Sequence, residues 1–364
     1  MGMKQLLLAK AFAIEGVVDN AIPFGNGHIN DTYRLINKDP GKPDYLLQRI
    51  NHNVFKNIPA MMNNIQLVTA HIRRKLLFSG QDANSKVATL IHTHNGEHFH
   101  KEDGEYWRVF QFMKDFRSYD KPETPEQMYE GAKAFGEFLN YLSDFPIEEL
   151  HYTLPDFHSM SFRLKQFFEA RDEAEKHRLD QAQDEIKYVL ETAEYVTDIQ
   201  DISIRYGMPL RVAHNDTKFN NVLLDKNDKG QCVIDLDTVM PGYVYFDVGD
   251  GLRTGASTAD EHELDLQKVD VDLAMIDAFA EGYTAPTKKL LSDEEMDTLP
   301  KSGIYMSFIM GLRFLTDYLQ GNKYYKVDFE DHNLHRARCQ LHLSKLMKKR
   351  LPEITDAFRR TAVI

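Results

Sequence analysis

The alternation of apolar and polar positions divides the chain into two unlike parts. Near the start, AIPFGNGHINDTYRLI carries strand-like ends around a glycine turn, and DYLLQRI is a short apolar run, so the opening third predicts β-structure. One helix interrupts it. From about Phe55 to Leu77, apolar residues including Ile65, Val68 and Ile72 recur at helical spacing. The stretch VATLIHTHNGEHFHKEDGEYWRVFQFM then reads as strand, turn, strand, with HNG and EDG supplying turn glycines. After Met113 the pattern changes. PEQMYEGAKAFGEFLNYLSDF predicts a helix opening at Pro125, where a first helical turn tolerates the missing N–H. Helical spacing continues from about Phe162 to Gln200, strand-like runs return only between Leu210 and Val248, and the chain from Leu264 onward is mostly helical. The expected class is therefore α+β: a small β-rich N-terminal lobe over residues 1–113 and a larger, mostly helical C-terminal lobe over residues 114–364, joined near Gln111–Asp115.

Composition changes this picture little. Apolar residues make up 42% of the 364 and charged residues 27%, an ordinary globular balance that can bury a core without staples. Two cysteines, Cys232 and Cys339, indicate no disulfide framework. The opening MGMKQLLLAKAFAIEGVV is interrupted by Lys4, Lys10 and Glu15, unlike a signal peptide or membrane span, and a cytoplasmic location is expected. The net charge of −12 repels nucleic acid and anionic membranes, so any phosphate-bearing ligand has to be held by a local site. Oligomeric state stays open, a monomer being compatible with the sequence. His28, His158 and the run His92, His94, His98, His100 lack the helical spacing beside Glu or Cys that marks a zinc site, and a solvated hairpin is the expectation for that run.

The densest chemistry lies in RVAHNDTKFNNVLLD, residues 211–225. Here His214, Asp216, Lys218, Asn220 and Asn221 crowd between apolar ends. The apolar runs Asn221–Asp225 and Gln231–Leu236 flank a polar connection ending in Gly230, the pattern of a hairpin. Centred on Asp228, a symmetric hairpin makes Asn221 and Asp235 cross-strand neighbours, with Cβ atoms about 5 Å apart. An amide and a carboxylate at that separation suit one hard cation such as Mg²⁺. Asp216 stands on the loop entering the hairpin, and Lys218 follows it closely. Phosphoryl transfer needs this set: a carboxylate for the proton of the attacking hydroxyl, an Asn and an Asp for Mg²⁺, and a cation near the transferred group.

His214-x-Asp216-x-x-x-x-Asn221 followed by Ile234-Asp235 resembles the kinase catalytic loop and metal aspartate. HND and IDLD, in place of HRD and DFG, are similar to the aminoglycoside phosphotransferase/choline kinase-like superfamily. The resemblance implies a bilobal protein kinase-like fold that uses ATP and Mg²⁺. PFGNGHINDTY would then be the phosphate-covering loop, with Gly25, Asn26 and Gly27 turning backbone N–H groups toward phosphates and His28 and Asn30 projecting toward a ligand. The backbone of Gln111–Met113 is where an adenine base would be met. One departure stands out: DYLLQRI places Gln48 and Arg49 where kinases carry a third-strand lysine, leaving Arg49 to supply the charge or the nucleotide to be held differently. The helix glutamate that pairs that lysine is not obvious either; Gln66 lies nearby.

Ordered blocks narrow the resemblance further. GNGHINDTY, YLLQ, WRVFQF, Ser118-Tyr119, RVAHNDTKFNN, IDLDTVMPG, FDVGDGLRTGAST, GLRFLTDYLQG and KYY run from roughly Phe12 to Lys345 in the order found in the N-acetylhexosamine 1-kinase family. That resemblance implies ATP-dependent phosphorylation of the anomeric hydroxyl of N-acetylglucosamine or N-acetylgalactosamine, and it places His28, Asn30, Asp216, Arg313 and Tyr324 at the sugar. From the residues alone, Arg313 in an apolar helical segment must be paired, with Asp317 as one partner, or face a ligand. Asp247 reads as a structural support of the catalytic loop and Asp250 as the cap of a following helix. Two other readings stay open: a kinase of the same fold acting on an aminoglycoside, choline or another hexose, and a catalytically silent nucleotide binder. Choline needs an aromatic cage, and the chain's one tryptophan, Trp107, stands before the catalytic loop.

Overall fold

The computed structural model describes residues 2–25 and 29–362. In chain order the elements are α1 (Gly2–Ala9), β1 (Val18–Pro23), β2 (Asp31–Asn37), β3 (Tyr45–Ile50), α2 (Ile58–Phe78), α3 (Ala83–Lys86), β4 (Leu90–Ile91), β5 (His100–Glu102) and β6 (Glu105–Gln111). There follow α4 (Pro125–Tyr141), α5 (Met160–Glu173), α6 (Lys176–Gln181), α7 (Gln183–Arg205), β7 (Arg211–Ala213), β8 (Val222–Leu224), β9 (Gly230–Val233) and β10 (Met240–Gly242). The chain ends with α8 (Val244–Gly255), α9 (Leu273–Thr287), α10 (Asp293–Leu319), α11 (His332–Lys349) and α12 (Leu351–Ala362). The fold is α+β, with a small antiparallel sheet in its first part and a larger helical part after it.

Two compact units divide these elements. The first takes residues 1–118, 141–154 and 221–241. Its sheet has the order β1-β2-β3-β6-β4, with β5 also on β6, every pairing antiparallel. Alternation aims Leu35, Tyr45, Leu47, Trp107 and Val109 into a core closed by Leu8 and Phe12 from the end of α1. α1 was not expected from the sequence; its eight residues become helical because Leu8 and Ala9 have this core to enter. The expected helix near Phe55–Leu77 is α2, opened by Asn57, whose side chain accepts the Ala60 N–H, with Pro59 in its first turn.

The β8–β9 hairpin belongs to this unit, and its register differs by one from a symmetric hairpin. Val222 pairs with Val233 and Leu223 with Cys232, but Leu224 pairs with Gly230. A bulge absorbs the extra residue. Ile234, not Asp235, therefore faces Asn221, and its N–H donates to the Asn221 carbonyl at 2.9 Å. Asp235 comes one residue later and takes a left-handed backbone, φ 59° and ψ 59°.

The second unit takes residues 119–140, 155–220 and 242–364. α10 is its axis, buried along most of its length, with Tyr305, Phe308, Leu312 and Leu315 in a core shared with Phe167, Val196 and Tyr245. Ser292 and Glu295 close a capping box at its start. α8 lies against it so closely that a Cβ on Gly249 would stand 2.4 Å from the Ser302 carbonyl. Among the described residues no helix is long and apolar enough to cross a membrane.

Candidate active site

The second unit builds the loop around Asp216. β7 ends at Ala213, and the chain then turns at Asn215 with φ 64°, a conformation an Asn tolerates better than most residues. His214 is fully buried, edge-on to Phe135 and Phe138, and its Nδ1 accepts the Asp216 N–H at 3.3 Å. Asp247, from the first turn of α8, holds the loop from below. Its two oxygens accept the N–H groups of His214 at 2.8 Å and Asn215 at 2.7 Å, and its carbonyl accepts the Thr217 hydroxyl. Burial pushes the Asp247 carboxyl up to about 6. This loop presents Asp216, half-buried, with Lys218 Nζ 3.0 Å from its Oδ1. Burial works to raise the Asp216 carboxyl, but the Lys218 ammonium and the His214 ring outweigh it and hold it below the ordinary carboxylate range. Asp216 in turn, ahead of Asp250 and Glu261, holds the Lys218 ammonium protonated well above its usual range.

Asp250 is not a helix cap. It lies inside α8, buried, and accepts two hydrogen bonds from Arg253 at 2.7 and 3.0 Å. Arg253 also reaches Glu261 at 2.8 Å and Gln340 at 3.2 Å. A buried carboxylate three residues before an arginine on one helix is satisfied by that arginine.

Arg313, on α10, does not pair with Asp317. The carboxylate of Asp317 instead accepts the N–H groups of Tyr324 and Tyr325, at 2.8 and 2.9 Å, and the Asn333 amide at 2.8 Å. Arg313 lies over the Phe157 ring at 4.9 Å and the Tyr325 ring at 5.7 Å, and donates to the Met310 sulfur; no carboxylate among the described residues is in ion-pair reach of it. Arg163 is its neighbour and among the described residues bonds neutral acceptors, the Phe157 carbonyl and Gln166. Burial and then Arg313 push the Arg163 guanidinium down to about 10. His158 feels both arginines and Asp216. Burial first, then Arg313, pushes it down to about 3, so its ring is neutral, with Nε2 3.1 Å from the Asn215 carbonyl and Nδ1 buried without a hydrogen-bond partner. The Tyr325 hydroxyl is also buried and unpartnered. Tyr324 is exposed and stands edge-on to Tyr325. Sequence reasoning singled out neither Arg163 nor Tyr325 and weighed His158 only as a metal ligand. What gathers them is packing beside Arg313, for which no local spacing is a signal.

The first unit holds the other expected residues. Asn221 is buried at the start of β8 and Asp235 is exposed beyond β9. An amide and a carboxylate on adjoining positions of one hairpin are hard oxygen donors and fit a divalent cation whose remaining ligands come from phosphates and water.

Arg49, the candidate for the missing lysine's charge, lies on β3 between two carboxylates. Its guanidinium is engaged by Asp31 and, at 3.1 Å, by Glu105. Gln48, on the opposite face of β3 by alternation, donates to Thr32 Oγ1 at 3.1 Å and accepts from Arg108 Nε at 2.9 Å. Arg108 is its cross-strand partner on β6, and its Nη1 forms a buried ion pair with Asp237. Asn30 does not project freely toward a ligand: its amide donates to Asp237 Oδ2 at 2.7 Å and its carbonyl accepts the Asn51 N–H at 3.0 Å. Gln66 bonds His92 and plays no part in this network. Along the connection after β6, the N–H groups of Gln111 and Phe112 already donate to the carbonyls of Thr89 and Asp44. Gly25, φ 77°, opens the turn after β1, while Asn26, Gly27 and His28 lie outside the described residues.

Residues 20–283, well over half of the chain, match the model of the phosphotransferase enzyme family, and the chain belongs to that family. Solved structures agree on the fold. An aminoglycoside phosphotransferase from Alicyclobacillus acidocaldarius superposes with a TM-score of 0.62 at 12% identity, covering 94% of this chain and 93% of that one. A microcompartment-associated aminopropanol kinase gives 0.62 at 13% identity over 97% and 98%. An amicoumacin kinase, solved with AMP-PNP and Ca²⁺, gives 0.60 at 11% identity over 94% and 93%. The class is thus that of the phosphotransferase enzyme family, on the fold that these kinases share.

Proposed function

We propose that the protein is an ATP-dependent N-acetylhexosamine 1-kinase of the cytoplasm. In this reading residues 1–113 form the nucleotide lobe and residues 114–364 the catalytic and substrate lobe. The observation that carries the acceptor class is the pair Arg163 and Arg313, which share the surroundings of His158 with Asp216 and form no ion pair among the described residues, Asp156 acting on Arg163 only at longer range. Two guanidiniums without an ion-pair partner disfavour a polycationic aminoglycoside or a quaternary ammonium. They favour a neutral acceptor rich in oxygen atoms, such as a sugar with an amide carbonyl. The ordered sequence blocks favour N-acetylglucosamine or N-acetylgalactosamine within that class.

Asp216 takes the proton of the anomeric hydroxyl as its oxygen bonds to the γ-phosphorus of ATP. The bond to the β,γ-bridging oxygen breaks, giving the sugar 1-phosphate and ADP. Lys218 keeps the Asp216 carboxylate ionised and close to the transferred group. Asn221 and Asp235 would hold Mg²⁺, which when bound neutralises charge on the phosphates. Gly25, Asn26 and Gly27 would cover the phosphates. Met113 would offer its backbone to the base, since the N–H groups of Gln111 and Phe112 are already spent. Arg313 and Tyr324 would grip the sugar, and the sequence resemblance adds His28 to the sugar-binding residues.

The test is ADP release with Mg²⁺ and ATP against N-acetylglucosamine, N-acetylgalactosamine, glucose, choline and kanamycin, with phosphorus NMR of the product. Turnover on the acetylated sugars with phosphate on the anomeric oxygen is expected. Turnover on kanamycin or choline alone overturns the acceptor reading. ADP release with none of the five would favour a silent nucleotide binder.

A further inference from the structure

A charged pair inside the first unit occupies the place left by the missing third-strand lysine. Kinases of this fold expect a lysine at position 48 and an acid on the helix facing it; here the strand offers Gln48, and the α2 side chain that meets this region is Met62. Arg108 fills the gap from the neighbouring strand. It is 2% exposed, its Nε donates to Gln48, and its Nη1 meets both Asp237 and the Met62 sulfur. The carboxylate it meets is on the loop that follows Asp235. That loop is fixed at several points: Arg108 and Asn30 hold Asp237, and Asn64 of α2 donates to the Val239 carbonyl at 3.0 Å. The tethered stretch starts at Asp235, which holds a left-handed backbone, a conformation that Asp tolerates better than most residues and that the tethers after it help to keep.

We propose that Arg108 is a positioning residue for the cation site: through Asp237 it fixes the Asp235–Val239 turn and so sets the direction of the Asp235 carboxylate. A buried arginine whose only anionic partner among the described residues lies two residues past a proposed metal ligand would act on that ligand by orienting its backbone. The sheet thereby controls the metal loop directly, where the lysine and helix acid of a kinase do so through the nucleotide and the helix. The inference rests on the reading of Asp235 as a metal ligand given above.

The full-length chain is titrated with Mn²⁺ in the presence of a non-hydrolysable ATP analogue, followed by electron paramagnetic resonance, without any acceptor. Arg108→Met and Asp237→Asn are expected to weaken Mn²⁺ affinity about tenfold or more, with the KM for the acceptor unchanged. Arg108→Lys is expected to recover part of the affinity. If Arg108→Met does not fold, the double variant Arg108→Met/Asp237→Leu, which buries no lone charge, takes its place. Either variant, folded and binding Mn²⁺ as the wild type does, overturns the proposal. A wild-type chain that binds Mn²⁺ with nucleotide but phosphorylates no acetylated sugar overturns only the acceptor reading. A wild-type chain that binds no Mn²⁺ overturns both.

Discussion

Lys218 Nζ lies 3.0 Å from Asp216 Oδ1, two positions further along one tightly held loop. The cation holds the carboxylate below its ordinary range, against the burial that would raise it. Asp216→Asn is expected to lower kcat by roughly a hundred- to ten-thousand-fold, the usual worth of a general base. Lys218→Met removes the cation, so the Asp216 carboxyl rises and the acid limb of the kcat/KM profile moves to higher pH. An acid limb that stays put in Lys218→Met would show that Asp216 is not the titrating base.

Asp247 satisfies two buried N–H groups of the loop that carries Asp216 at once. Asp247→Asn replaces one acceptor with an NH₂ and leaves one of those donors facing another donor. The expected cost is about 1–3 kcal/mol of stability, from a buried donor left unmade, together with a fall in kcat as the loop loosens. Urea unfolding and steady-state kinetics read the two effects; unchanged values for both would mean that water replaces the lost acceptor.

His158 gives the pH dependence a sign. Its folded value is about 3 against an ordinary 6.5, so the unfolded chain binds a proton in that window that the folded chain refuses. Stability from this group is full above pH 6.5 and is lost as pH falls, by up to about 1.4 kcal/mol per pH unit. Asp247 titrates in part of the same range with the opposite sign. Its folded value of about 6 lies above the ordinary 3.8, so its contribution is lost as pH rises from about 4 to 6. The two offset one another in the wild type. His158→Gln should therefore gain stability relative to the wild type on acidification from pH 6.5 to 4.5. Urea midpoints at both values check this, and a difference independent of pH would mean that His158 is not buried neutral.

Both thiols are inert in the folded chain. Cys232 and Cys339 are buried, and burial pushes them up to about 12 and about 11. Only thiolate reacts at an appreciable rate. Ellman's reagent at pH 8 should find no fast thiol in the native protein and two after denaturation. Fast labelling of either one in native buffer would contradict its burial.

The parts of the fold set by local spacing were legible in the sequence. The helical repeat of Ile65, Val68 and Ile72 gives α2, Pro125 opens α4, and the glycine-ended connection before Gln231 gives the β8–β9 hairpin. The residues His214, Asp216 and Lys218 were legible as one loop for the same reason: they are neighbours along the chain, and a short loop keeps neighbours together. The exact hairpin register was not, because a single bulge moves every pairing by one. Arg108 and Asp237 were not legible either. They stand 129 positions apart, and no local pattern says that a β6 residue will meet a carboxylate beyond β9. The fates of Arg49, Asn30 and Arg313 belong to the same kind. Each is a long or polar side chain whose partner is chosen by which face of a sheet or helix it shares. The sequence by itself determined most of the segments that form elements and the short loop that gathers His214, Asp216 and Lys218, since those follow from periodicity and chain connectivity. Tertiary structure decided which charges neutralise one another, because burial makes an unpaired charge too costly to keep and only the packed chain brings distant partners within reach.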